Sequence, residues 1–151
     1  MSGPVENTRY ELSVPFPPDV VLGALLDFSD RRPRVWPETS HPAVYEVHSL
    51  DATHAEVTEG VPFAWSRERY DWSEPGVVRL TQLDSNVARN GSIQYRVEAS
   101  GAGTRIVCDR HRAFFGWRGR LAGLLMTAAA GPILRRQLRK GIERYARLPS
   151  P

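Results

Sequence analysis

With 151 residues, 41% of them hydrophobic and 25% charged, the chain is long enough to bury a core and too apolar to stay disordered. Its one cysteine, Cys108, excludes an internal disulfide, and Met1 to Asn7 carry no charged-then-apolar leader pattern, so a cytoplasmic protein is the expectation. The net charge of +3 is unevenly spread: ten of the twenty Lys and Arg follow Cys108, where Asp109 and Glu143 are the only acids.

Taken in order, Tyr10, Leu12 and Val14 alternate with Arg9, Glu11 and Ser13, the pattern of a half-buried strand that Pro15 ends. Pro17 and Pro18 suit the first turn of a helix, where Asp19 favours the dipole. Val21, Leu25 and Phe28 follow at helical spacing, and Pro33 and Pro37 confine what comes next to a short helix or turn before Trp36. Turn residues then punctuate six strand candidates at 43–50, 53–59, 63–73, 77–89, 92–100 and 104–112. Asn90-Gly91 is the strongest hairpin signal among them.

Residues 116–148 form the longest helical candidate. No charge falls between 121 and 134, and Leu121, Leu124, Leu125 and Ala128 share one face. Beyond Gly131-Pro132 a second apolar stripe of Leu134, Leu138, Ile142 and Tyr145 runs between basic residues. The proline predicts a kink. The first half reads as enclosed and the second as a lid with one wet face. The uncharged run is shorter than the roughly 20 residues that cross a bilayer. The order is one strand, two helices, six strands and one long helix, in a single domain spanning 1–151 with its core at about 8–148.

Hairpin geometry assigns faces, because opposed residues of antiparallel strands share one. A loop at Glu74-Pro75-Gly76 sets Tyr70 opposite Leu80 and Glu68 opposite Gln82. A turn at Ala102-Gly103 sets Val97 opposite Cys108 and Tyr95 opposite Arg110, and a turn at Asn90-Gly91 sets Ala88 opposite Ile93. One face then carries Trp72, Tyr70, Val78, Leu80, Ile93, Tyr95, Val97, Ile106 and Cys108, with Glu68, Gln82 and Arg110 among them. This is the expected inner face.

These features together resemble the START-like (SRPBCC) superfamily, the α+β helix-grip fold of polyketide cyclase/dehydrase and Bet v 1 type proteins. The resemblance rests on Tyr10-Glu11-Leu12-Ser13-Val14 ended by Pro15, on Pro18-Asp19-Val20-Val21, Leu26-Asp27-Phe28 and Trp36-Pro37, on Gly103-Thr104-Arg105-Ile106, and on Gly116 to Gly119 opening the long helix. It implies a curved antiparallel sheet of about seven strands wrapped around the C-terminal helix, with a cavity between them for a hydrophobic or amphipathic small molecule. Lipid carriers, plant-hormone receptors and aromatase/cyclases share that fold. The turn at 50–53 lacks the glycine-rich loop of the Bet v 1 type, and no double-glycine motif of the stress-protein-activator branch is present.

The four histidines are scattered without HExxH or Cys/His spacing, so no metal is expected. Gly101-Ala102-Gly103 joins two strands and is no dinucleotide fingerprint, so no cofactor is expected either. No Gly-x-Ser-x-Gly elbow exists, and Cys108 lacks an activating partner. The candidate ligand-binding set is Trp36, Phe63, Glu68, Tyr70, Trp72, Leu80, Gln82, Tyr95, Cys108, Arg110, Leu121, Leu125 and Ala128. An inward carboxylate must be paired or neutralised. Glu68 and Arg110 are therefore a structural ion pair, a holder of a ligand's polar end, or acid/base groups working with Tyr95 or Tyr70. Three functions stay open: a carrier of a lipid- or polyketide-like molecule, a polyketide cyclase/dehydratase, and an interaction module using the basic helix against an anionic membrane surface or an acidic partner. Nucleic acid is not expected, since no aromatics alternate with the arginines.

Overall fold

The structure, a computed structural model, describes residues 4–149, and of residues 125–130 the backbone alone. Its elements are β1 (Val5–Val14), α1 (Pro18–Leu26), α2 (Arg32–Val35), β2 (Glu46–Leu50), β3 (His54–Val61), β4 (Ala64–Asp71), β5 (Val77–Ser85), β6 (Ala88–Ser100), β7 (Gly103–Phe114) and α3 (Gly116–Arg147). The strands form one antiparallel sheet in the order β1-β7-β6-β5-β4-β3-β2, and α3 lies against it, an α+β helix-grip arrangement.

The β4–β5 register pairs Tyr70 with Leu80 and Glu68 with Gln82, as the three-residue loop implies. Two other turns differ from expectation. The β5–β6 turn falls at Ser85 to Ala88, where the Ser85 hydroxyl accepts the backbone N–H groups of Val87 and Ala88 at 3.1 and 3.2 Å. Asn90-Gly91 instead lies inside β6, as a bulge where the ladder to β7 slips between Arg89 and Ser92. Asn90 has φ +53°, and a left-handed asparagine serves a bulge as well as a hairpin, so the dipeptide alone does not choose. Leu80, not Ala88, therefore faces Ile93. The β6–β7 turn sits at Gly101-Ala102, which pairs Val97 with Ile106 and Tyr95 with Cys108, two residues from the expected register. A slip of two preserves alternation, so the inner face keeps its residues. Tyr70, Val78, Leu80, Ile93, Val97, Ile106 and Cys108 are all buried in one core with Tyr10, Leu12 and Val14.

The long helix corrects the sequence reading most. It continues helical through Pro132, and its second half does not lie as a lid: Leu134, Leu138 and Ile142 enter the core, and α3 also packs on α1 and α2. In the first half Leu121 is 47% and Leu124 62% exposed. Small residues face inward there. A Cβ on Gly119 would stand 2.4 Å from the Val87 carbonyl oxygen, and one on Gly123 2.9 Å from Pro4 Cβ. Close approach through glycine turns Leu121 and Leu124 outward; periodicity located their stripe but not what these two face. Leu125 and Ala128 lie outside the described side chains.

Candidate functional site

Between the sheet and α3 lies a cavity of about 320 Å³. Alternation along the strands decides its lining. Ser66, Glu68 and Tyr70 project from β4, Leu80 from β5, Ile93 and Tyr95 from β6, and Arg110 and Arg112 from β7. Leu25 of α1, Trp36 after α2, and Ala122 and Leu134 of α3 complete the apolar part. The volume is at the lower end of the range for small-molecule sites.

Two polar clusters face this space. The first joins α2 to the sheet. The Arg32 guanidinium donates to the Glu59 carboxylate, to Tyr70 Oη at 3.0 Å, and to the Leu25 and Asp27 carbonyls at 3.0 and 3.2 Å. Tyr70 Oη donates to the other Glu59 oxygen, and Ser40 Oγ donates to Glu59 at 2.8 Å. The guanidinium also stands 4.7 Å from the Phe28 ring centre. Burial and the neighbouring Glu59 charge push the Tyr70 phenol well above its ordinary range, so it stays a hydrogen-bond donor.

The second cluster lies on β1 and β7, at the other side of the cavity wall. Glu6 is opposite Arg112 in the ladder, and its Oε1 accepts from Arg110 Nε at 3.1 Å and Arg112 Nη2 at 3.4 Å. Glu6 Oε2 and Arg112 Nε are buried without a hydrogen-bond partner among the described residues. Desolvation and the adjacent Arg110 charge lower the Arg112 pKa, whereas Glu6 beside Arg110 raises that of Arg110 against its own burial. Glu68 accepts from Ser66 Oγ at 2.7 Å and makes no ion pair among the described residues. Burial raises its pKa, and the Glu59 charge adds to the shift.

The expected Glu68–Arg110 pair is therefore not formed; Glu6 takes the arginine. Of the sequence candidates, Trp36, Glu68, Tyr70, Leu80, Tyr95 and Arg110 line the cavity together. The other candidates with described side chains do not line it. Trp72 lies against Phe28, ring centres 5.9 Å apart. Gln82 donates to the Ala88 carbonyl at 2.6 Å. Cys108 is in the core beside Tyr10 and Tyr95, where burial pushes its thiol up to about 11. Phe63 is on the surface, its ring 5.9 Å from that of Trp117, and Leu121 is on the same outer side of α3 as exposed Leu124.

Glu6, Arg32, Glu59 and Arg112 escaped the sequence reading. Alternation could have found three of them. Glu6 has the parity of Tyr10 and Leu12, Glu59 that of Ala55 and Val57, and Arg112 that of Cys108 and Arg110. Arg32, in a four-residue helix, had no periodic signal. His48 and His54 bond separately to Thr58 and Thr53, and no cluster of metal-ligating side chains occurs among the described residues. Among the same residues no helix is long and apolar enough to cross a membrane.

The model of the family described as polyketide cyclase/dehydrase and lipid transport matches residues 6–147. No curated protein matches the sequence. Solved structures do match in shape. An aromatase/cyclase from a Streptomyces species superposes with TM-score 0.70 at 16% identity, over 95% of this chain and 94% of that one. A START superfamily protein from Mycobacterium smegmatis gives 0.65 at 11%, over 94% and 99%. Norcoclaurine synthase from Thalictrum flavum, in complex with dopamine and hydroxybenzaldehyde, gives 0.62 at 9%, over 97% and 90%. At these identities the likeness establishes the fold.

Proposed function

The chain belongs to the polyketide cyclase/dehydrase and lipid transport family, and from that premise we propose that it encloses a hydrophobic or amphipathic small molecule, lipid- or polyketide-like, between its sheet and α3. One observation carries this: the cavity of about 320 Å³ has an apolar wall of Leu25, Trp36, Leu80, Ile93 and Leu134, with ionisable groups supplied by α2, the segment after it, and strands β3, β4, β6 and β7. Apolar lining supplies affinity, and a few placed polar groups orient the guest. The family's description and the ligands in the norcoclaurine synthase structure support the same reading. Native mass spectrometry of the purified protein is expected to show a small-molecule adduct that organic extraction removes. A bare polypeptide that also takes up no neutral apolar fluorophore overturns the proposal.

A second reading, catalysis of the cyclase/dehydratase type, is favoured by Glu68. It is buried, faces the cavity with no ion pair among the described residues, and has its pKa raised by desolvation, as a proton-transferring carboxyl requires. Tyr95 lines the same cavity, its phenol kept protonated by burial. In this reading Glu68 moves the proton, and Tyr95 donates a hydrogen bond to a substrate carbonyl. Glu68→Gln then binds the ligand and stops turnover; unchanged turnover removes this reading and leaves binding intact.

A further inference from the structure

The Glu6–Arg110–Arg112 cluster is charge-unbalanced. Two guanidinium groups share a single carboxylate oxygen, and the second oxygen of Glu6 serves neither. Arg112 Nε is buried with no acceptor. Glu68, a cavity carboxyl on β4, forms no ion pair with either arginine among the described residues. Both arginines line the cavity. A buried cation that is incompletely paired is costly, and the cost is removed when an anion enters.

The bulge in β6 lies against the Arg112 stem. A Cβ on Gly91 would stand 3.1 Å from Arg112 Cγ and 2.3 Å from Gln82 Oε1. A larger residue there would crowd the arginine stem and collide with the Gln82 amide oxygen. The Asn90-Gly91 dipeptide, which makes no hairpin here, thus packs against both Gln82 and the Arg112 stem.

Resting on the ligand-binding reading above, we infer that Arg110 and Arg112 form an anchor for the carboxylate of an amphipathic acid, whose apolar tail lies along the wall made by Leu80, Ile93 and Leu134. The acid's oxygens accept from Arg112 and from the Arg110 groups not engaged by Glu6. Its charge balances the cluster, and its chain fills the apolar remainder of the cavity.

The test is calorimetric titration of the intact protein with decanoate and with decanol, both below their micellar concentrations. Decanoate is expected to bind at least tenfold more tightly, because a hydrogen bond to a charged group is worth about one to two decades of affinity. Arg112→Gln is expected to remove that preference while decanol binding persists, which also reports that the variant is folded. If this variant does not fold, the wild-type ratio decides alone. Equal affinity for the two probes overturns the anchor and leaves the cavity reading standing. Binding of neither overturns both.

Discussion

Alanine in place of an interior helix glycine ordinarily stabilises by about 1 kcal/mol. At Gly141 of α3 the sign is expected to reverse. A Cβ there would stand 2.0, 2.4 and 2.5 Å from three ring carbons of Trp36, where carbon contacts prefer about 3.5–4.0 Å. The ring or the helix must therefore give by more than about 1 Å. Trp36 is held in place, since it is buried and its Nε1–H donates to the Ala24 carbonyl at 3.0 Å. Moving the ring forfeits that bond and strands a buried donor, a cost of about 1–3 kcal/mol. Moving the helix instead disturbs Leu138 and Ile142, an overpacking of about the same 1–3 kcal/mol. After the propensity gain, Gly141→Ala is expected to lose up to about 2 kcal/mol, or up to roughly 8 °C in Tm for a domain of this length. Urea unfolding followed by circular dichroism measures it as a lower midpoint at unchanged slope. A variant about 1 kcal/mol more stable would mean that this face of α3 does not close on Trp36, and that the helix does not grip the sheet as described.

Glu59→Gln is expected to cost about 3–5 kcal/mol, because Arg32 would keep its charge in a buried place without a counter-ion; a loss under about 1 kcal/mol in the same urea assay would make the cluster solvent-screened decoration. Glu68 has a folded-state pKa above its ordinary 4.5, so the folded chain holds the proton longer than the unfolded one and stability falls as pH rises from 4.5 through the folded value. Glu68→Gln removes that dependence, so its stability relative to wild type is expected to increase across this window; a constant difference from acid to neutral pH refutes the shift. Cys108, buried and with its thiol pushed up to about 11, is expected to react with iodoacetamide at neutral pH only as fast as the protein unfolds, whereas labelling at the rate of a free peptide thiol would place it at the surface.

Local pattern carried much of the architecture. Two-residue alternation, proline stops and the glycine turns determined the order of elements and the inner face of the sheet. That face survived a two-residue error in the β6–β7 turn because parity, not partner identity, decides which side a residue takes. The same alternation identified Tyr70, Tyr95, Leu80, Glu68 and Arg110 as inward before any contact was known. Tertiary structure decided what those residues meet. Glu6 reaches Arg110 across 104 positions of sequence and displaces the nearer guess, Glu68, through a β1–β7 pairing that no short window contains. Arg32 becomes a cavity residue only because Glu59 and Tyr70 are brought to it from two strands. In α3 Leu121 and Leu124 turn outward since Gly119 and Gly123 approach Val87 and Pro4 too closely for a side chain. Periodicity tells that a helix has faces; which face is buried depends on the shape of the surface waiting for it, and that surface is assembled from residues a hundred positions away.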